Sequence, residues 1–520
     1  MHAPAATTSI RPVIGMEVHV ELATRTKMFT RARSPAHPDN DDAEPNTLID
    51  PVVLGLPGAL PVLNQRAIEM AISVGLALGC RIAGFTKWDR KSYYYPDLPK
   101  NYQISQYDLP LCFDGAVDVP TPWKGDGATT RIGIIRAHLE EDAGKLLHEW
   151  PGGRPIDFSI ADYNRAGTPL LEIVTAPDFT SADEAVAFSQ MLRNVCRFLG
   201  VTEGVMQKGH MRFEPNINCI LELEDGRTVK TPIVEVKNLN SFKALRGAID
   251  YELREQPGRW RTDGRIMSPG SKTTRGWDDH AMCTVLQREK EDAHDYRYFP
   301  DPDLLPVRIG PELESRLRTA LPELPHTRAE RYQRELGLGV KEAAALVEER
   351  DTCLLFEHAR AFAADRLSDP LAAEKAGKAV SNLVLQSGFK RANERSMPVH
   401  ELGITPEAVA GIALLRVDDR ISAQGADHLF GALCEAPGED PLAAAERLGL
   451  LQVRDESALA AWVDQVLSNP ANAQAVADLR SGRQQAIGRL VGEVMKLSGG
   501  KADAKAVRER ILAAVGGGLH

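Results

Sequence analysis

Acids, imidazoles and cations recur at every second position in several short stretches of this chain. In Ile14-Gly15-Met16-Glu17-Val18-His19-Val20-Glu21-Leu22, the two-residue period of an extended backbone puts Met16, Val18, Val20 and Leu22 on one side and Glu17, His19 and Glu21 on the other. In residues 134–140 the same alternation sends Ile135, Ala137 and Leu139 inward and Arg136, His138 and Glu140 to the opposite face, with Glu141 opening a loop at Asp142. Residues 211–219 oppose Arg212, Glu214, Asn216 and Asn218 to Met211, Phe213, Ile217 and Cys219, and Val234-Glu235-Val236-Lys237 repeats the pattern.

Glu17, Glu140 and Glu172 are hard oxygen ligands of the kind Mg²⁺ takes, one or two at a time, completing its shell with water and phosphate oxygens. Arg136, Lys145, Arg165 and Arg212 could balance the charge of a phosphoryl group in transfer. Glu172 sits in Leu170-Leu171-Glu172-Ile173-Val174, where an unpaired carboxylate is costly, so it must bind metal or pair, with Arg165 and Lys145 as the available partners. His19 fits a ligand or a structural histidine equally. Spacing alone leaves two readings, a phosphate-and-metal centre or the wetted face of an ordinary antiparallel sheet. Two chemistries are excluded: residues 204–210 lack the Lys-Ser/Thr of a nucleotide-binding P-loop, and no GxSxG marks a hydrolytic serine.

Clean alternation implies a largely antiparallel sheet with one face on a core. A helix from Gln65 to about Gly79, capped by Asn64 and carrying Ile68, Ile72 and Leu76, is expected to cover that face, with a second from Ser181 to Leu199. Beyond residue 306 the chain turns to Ala, Leu, Glu and Arg at helical spacing, and Thr405 can cap a helix beginning at Pro406. The expected fold class is α+β, a sheet cradle over residues 1–306, a helical domain over 307–405 and a helical tail over 406–520. The seven scattered cysteines form no CxxC pair, and no apolar run nears the roughly 18 residues of a spanning helix. A cytoplasmic protein without membrane partners is expected. The net charge of -10 leaves RNA contact to a local patch. The last fifty residues supply one, with Arg489, Lys496 and Lys501 among eight cations; if 490–495 is helical, Leu490 and Val494 face a core and Arg489 and Lys496 border it. A solvated face balanced by Asp478, Glu493, Asp503 and Glu509 is the alternative.

Residues 14–22, 56–61, 90–103, 138–145, 162–174, 234–241 and 295–304, together with Leu490-Val491-Gly492-Glu493-Val494-Met495-Lys496, resemble the B subunit of the tRNA-dependent amidotransferase (GatB), in order and over nearly the whole chain. The resemblance implies a glutamine-synthetase-like cradle that uses ATP and Mg²⁺ to phosphorylate the side-chain carboxylate of Glu-tRNA(Gln) or Asp-tRNA(Asn). Ammonia from a partner glutaminase then replaces the phosphate. The implied partners are an amidase (the A subunit), a small C subunit and aminoacyl-tRNA. Under this reading Glu17, His19, Glu140 and Glu172 form the metal and phosphate centre, with Glu141 a further ligand although parity turns it away. Lys91 and Arg165 contact phosphate, Lys145, Arg212 and Glu214 join the cofactor site, and Arg489, Lys496 and Lys501 hold tRNA. There are departures. Where zinc-bearing members carry cysteine pairs this chain has residues 29–32 (Phe-Thr-Arg-Ala) and 50–53 (Asp-Pro-Val-Val), so no structural zinc is expected. Gly209-His210-Met211-Arg212-Phe213-Glu214 stands where the family commonly has Gly-Ser-Leu-Arg-Cys-Asp, and Ala502-Asp503-Ala504 where it has Ala-Asn-Pro. Two other functions fit less of the chain: a free-standing carboxylate–amine ligase needs no long helical half, and a non-catalytic tRNA scaffold needs no acid-rich sheet face.

Overall fold

A computed structural model describes residues 6–40, 42–125, 127–150, 153–289, 296–452, 456–481, 483–499 and 502–516. The chain divides into two compact units, Met1–Pro325 and His326–His520.

The first unit is built on a ten-stranded sheet. Its strands are β1 (Thr7–Glu21), β2 (Arg81–Ile82), β3 (Cys112–Pro120), β4 (Thr129–Glu141), β5 (Pro169–Thr175), β6 (Met211–Leu223), β7 (Thr228–Lys230), β8 (Val234–Lys237), β9 (Thr273–Asp278) and β10 (Cys283–Glu289). The order is β10-β9-β8-β6-β1-β5-β4-β3-β2, with β7 beside β6. Every named pair is antiparallel except β8–β9, whose parallel return runs through helix α3 (Phe242–Asp263). The fold is therefore α+β with a mainly antiparallel sheet.

Alternation is realised as burial. Met16, Val18, Val20, Ile173, Phe213 and Ile217 are at most 1% exposed and form one continuous core face. Helix α1 (Gln65–Ala77) and helix α2 (Ala182–Phe198) join α3 in covering it. Asn64 caps α1 by accepting from the N–H of Arg66 and Ala67, a contact of about 1 kcal/mol, and Gly79 follows the helix with φ +68°. Ser181 caps α2 through the N–H of Glu184. Gly75 lets α1 lie directly on β3: a side chain there would collide with Cys112 Sγ.

One inward assignment is overturned. Ile135 is 52% exposed, and Ile134 fills the core instead. Val174 and Thr175 of β5 pair with Arg136 and Ile134, so Ile135 is an extra residue in a β-bulge. On the other side β3 pairs Phe113 with Arg136 and Gly115 with Ile134, skipping Asp114, which adopts φ +52°. The alternation is in phase at Ile132 and Ile134, pauses, and resumes at Ala137 and Leu139.

The second unit is helical. Thr405 caps the helix Pro406–Val417 through the N–H of Ala408, and that helix packs on Arg350–Asp365 and Pro370–Asn382. Helices Glu456–Ser468, Ala473–Arg480, Ile487–Leu497 and Ala504–Gly516 share a core of their own, with Leu490 and Val494 fully buried in it. No helix among the described residues is long and apolar enough to cross a membrane.

Candidate active site

The face opposite the core carries the chemistry, and strand register assembles it. His19 of β1 pairs with Arg212 of β6 and with Glu172 of β5, and Glu172 pairs with His138 of β4. Arg212, His19, Glu172 and His138 thus form one row across four strands. A neighbouring row holds Glu214, Glu17, Val174 and Arg136, and another holds Glu21, Leu170 and Glu140. Paired residues share a face, so the rows place their side chains above one another.

His19 Nε2 lies 3.5 Å from Glu172 Oε2 and 3.8 Å from an oxygen of both Glu17 and Glu140. His138 Nε2 is 3.7 Å from Glu172 Oε2 and 4.0 Å from Glu140 Oε2. Arg136 Nη2 approaches Glu172 Oε1 at 3.9 Å. These separations exceed a good hydrogen bond, although His19, His138, Glu140 and Glu172 are all buried. The Nδ1 atoms of His19 and His138 are buried with no hydrogen-bond partner among the described residues. Three groupings here bring ligand atoms within 4.8 Å of one another: Glu17 with His19 and Glu172, His138 with Glu140 and Glu172, and Glu17 with Glu214 and Glu235.

The electrostatics reflect that crowding. Burial, then the charge of Glu172, raises Glu140 to about 7 against the pull of Lys91 and His19. Glu17 is raised for the same two reasons. For His19, burial opposes the charged form, but contact with Glu172 and the charges of Glu214 and Glu172 prevail and lift it to about 9. Burial wins at His138, which falls to about 4. Burial likewise opposes ionisation of Glu172, yet the facing imidazoles and Lys91 hold it below the ordinary carboxylate range; with His138 disfavoured as a cation, His19 carries most of that effect. Carboxylates and imidazoles buried around one centre, with Glu17 and Glu140 pushed up by burial and by Glu172, are what a divalent cation would complete, so the residues fit a hard metal ion.

Beside the cluster opens a cavity of about 700 Å³. Lys145, Arg165, Arg212 and Glu214 all line it. Arg165 is aimed by its backbone contacts, Nε to Ala143 O at 2.9 Å and Nη2 to Gly144 O at 2.8 Å. Arg212 Nη2 donates to Asp142 Oδ2 at 2.8 Å, and Lys237 Nζ to Glu214 Oε2 at 2.6 Å. Glu214 also faces His19 Nδ1 at 4.0 Å, linking cavity and cluster.

Placement departs from expectation at Glu141 and at the partners of Glu172. Glu141 ends β4 rather than opening a loop, and it faces away from the cluster, accepting from Lys100 and from the Ile104 N–H; the parity that aims Glu140 inward to the site turns its neighbour out. Glu172 pairs with neither Arg165 nor Lys145, because register sets His19, His138 and Arg136 beside it. Lys145, exposed at the start of the strand Lys145–Trp150, reaches the cavity but not the cluster. Lys501 lies outside the described residues, whereas Arg489 and Lys496 are exposed on Ile487–Leu497. Glu235, which shares a face with Lys237, and His138, which shares one with Glu140, are additions to the site. Both stood on the right side of their strands, but only cross-strand register brings them in.

A family model described as the GatB/GatE catalytic domain matches residues 12–315, and one described as the GatB domain matches residues 368–515. The B subunit of an aspartyl/glutamyl-tRNA(Asn/Gln) amidotransferase from Thermomicrobium roseum is 45% identical over 500 residues, 96% of this chain and 97% of that protein. Proteins of the same description from Halorhodospira halophila (42% over 499 residues, 96% and 97%) and Rhodopirellula baltica (41% over 505 residues, 97% and 96%) are similarly related.

Proposed function

The chain belongs to the GatB family, and on that premise we propose that it is the amidating component of a tRNA-dependent amidotransferase, an ATP-dependent carbon–nitrogen ligase. Its substrate is the misacylated Glu-tRNA(Gln), Asp-tRNA(Asn) or both. The observation that carries the reading is the pairing of a buried carboxylate–imidazole cluster, with ligand atoms at metal-binding spacing, with an adjoining cavity lined by Lys145, Arg165 and Arg212. A carboxylate resists ammonia until one of its oxygens becomes a good leaving group, which phosphorylation provides. Bound Mg²⁺ and ATP supply the phosphoryl group and neutralise its charge. Glu17, His19, Glu140 and Glu172 are the residues we assign to the metal, with Glu214 and Glu235 at its flank.

This chain's residues would divide the work by charge. Arg165 and Arg212, fixed by Ala143, Gly144 and Asp142, offer positive charge at set positions, so little reorganisation is needed when phosphate charge shifts. Lys91 adds an ammonium beside Glu140 and Glu172. Without metal a charged His19 helps to hold Glu172 ionised; a bound metal ion would displace that proton and take over the role. Ammonia comes from a partner amidase, the A subunit, in a complex that also holds a small C subunit. We assign residues 1–306 to the cradle, 307–405 to a helical domain and 406–520 to a tRNA-binding tail that uses Arg489, Lys496 and Lys501.

The reading is tested by giving the assembled complex ATP, glutamine and each aminoacyl-tRNA in turn and following the attached amino acid by chromatography. Conversion of Glu to Gln or Asp to Asn, with ADP formed in step, is expected. No conversion of either substrate would overturn it.

A further inference from the structure

The motif at residues 296–303 lies more than a hundred residues from β1, β4 and β5, yet it is fastened beside their cluster. Phe299–Pro300 pairs antiparallel with the strand Asp89–Ser92, Phe299 opposite Arg90. Arg90 is the clasp. Its Nε meets Asp301 Oδ2 at 2.7 Å, its Nη2 meets Asp303 Oδ2 at 2.8 Å, and its guanidinium lies 4.3 Å from the ring centre of Tyr102. Asp301 is 5% exposed, so this ion pair is shielded and the strap is firmly held. Upstream the backbone turns through φ +46° at Arg297, and the flanking rings of Tyr296 and Tyr298 meet edge to face, 6.2 Å apart. Tyr298 in turn stacks flat on Tyr107, at 4.2 Å and 13°.

The residue after the clasp is Lys91, which strand alternation turns to the opposite side from Arg90. Its ammonium lies 5.1 Å from the centre of the Tyr296 ring. Glu140 and Glu172 are close enough to act on it electrostatically, but among the described residues no carboxylate lies within the 4.0 Å of an ion pair with Lys91. A flexible four-carbon stem beside two acids would ordinarily close onto one of them. An aromatic face is the contact that holds a cation without neutralising it, leaving its charge for an arriving anion.

We propose that Tyr296 and Tyr298 are positioning residues for Lys91: Tyr296 supports the ammonium, Tyr298 braces Tyr296 from its stack on Tyr107, and the strap 296–303 walls this side of the centre. The inference rests on the reading of Lys91 as part of the phosphate-handling site, and it adds the device that keeps that lysine available. Arg90 belongs to the same device, since releasing Asp301 and Asp303 frees the strap that carries both rings.

The test uses the assembled amidotransferase complex, with kcat and KM for ATP and aminoacyl-tRNA measured for amidation and the partner's glutamine hydrolysis read in parallel to count assembled enzyme. Tyr296→Leu is expected to lower kcat about tenfold, the scale of one desolvated cation–π contact, with KM for ATP changed less than about twofold. Tyr296→Phe, which keeps the ring, should restore most of kcat. In a Lys91→Met background, which has no cation to support, Tyr296→Leu should cost much less than in the wild type, because the two act as one unit. Should Tyr296→Leu fail to assemble, Tyr296→Met fills similar volume without a π face and takes its place. Wild-type kcat for the Leu or Met variant, equal impairment of Phe and Leu, or full additivity with Lys91→Met would each overturn the proposal. The underlying reading fails separately: Lys91→Met with normal amidation removes the lysine from the site whatever the tyrosines do.

Discussion

Among the described residues, two places bring a histidine and two carboxylates within ligand reach, and they are not equivalent. Glu17, His19 and Glu172 gather on the sheet of the first unit; Glu349, Asp351 and His400 gather at the start of the helix Arg350–Asp365 in the second. Ligand-atom spacing does not separate them. Satisfaction does. Glu349 caps its helix, accepting from the Thr352 N–H at 2.7 Å, and faces His400 Nδ1 at 3.0 Å, while Asp351 is exposed and solvated. Each of those groups has an ordinary structural occupation. On the sheet, carboxylates and imidazoles are buried at 3.5 Å or more from one another, and two imidazole nitrogens have no hydrogen-bond partner among the described residues. Desolvation without compensation is tolerated where something else arrives to supply it.

The comparison breaks most readily at Glu140. Glu140→Gln keeps the shape and removes the charge, so amidation kcat in the complete complex should fall by roughly 10²–10³-fold, as when a preorganised charge is removed from a transition state. Affinity for tRNA, read by filter binding, should stay within about twofold. Normal turnover would make the sheet cluster as ordinary as the helix-cap cluster. A smaller effect is expected from the second unit. A complex lacking residues 456–520 should bind tRNA about tenfold more weakly, with a shallower slope of log affinity against log salt, because phosphate contacts release counterions. An unchanged slope would remove Arg489 and Lys496 from RNA binding.

Lys27 sharpens the comparison from the side of stability. It is fully buried, donating to the carbonyls of Ala166 at 2.6 Å and Tyr163 at 3.3 Å, and burial outweighs Asp50 and Glu141 to lower it to about 8. Between pH 8 and 10.5 the unfolded chain then binds the proton that the folded chain has released, so stability rises with pH across that window. Relative to Lys27→Met, the urea midpoint of the wild type should gain the equivalent of about 1–3 kcal/mol from pH 8 to pH 10.5. Parallel pH profiles would show that Lys27 ionises normally. The smallest effect belongs to His400→Ala, which should leave amidation within about twofold and cost at most about 1 kcal/mol of stability, as for an exposed capping interaction. A large loss of activity there would erase the distinction on which the comparison stands.

Period-two patterning made the polar face of β1 and β6 legible residue by residue, and capping chemistry made α1, α2 and the helix at Pro406 legible to within a residue or two. These signals are local. What remained hidden depends on which residue of one strand stands beside which residue of another. His138 alternates correctly with Glu140, but nothing in residues 134–140 tells that Glu172 will stand opposite it. Partners assigned to Glu172 from sequence proximity were wrong for the same reason. Ile135 failed differently: an alternation read backwards from Leu139 assumes an unbroken ladder, and in Ile132-Gly133-Ile134-Ile135 only Gly133 hints that a bulge interrupts it. The tyrosines above Lys91 were visible as a motif but not as its neighbours, since the strand Asp89–Ser92 meets them only through the fold.

The two residues left over at that bulge also constrain how the sheet can change length. Asp114 on β3 and Ile135 on β4 face each other across the same gap, each skipped by its partner's register. In the sequence they stand some twenty positions apart with nothing to link them; the ladder makes them a single event. Removing Ile135 alone would straighten β4 against β5 and leave Asp114 without a counterpart, moving the mismatch one strand outward. Removing both would close the ladder across β3, β4 and β5, relax the local bend, and swing Arg136 relative to Glu172. Lengthening or trimming this edge of the cradle is thus a paired operation, and the pair sits one residue from the active face.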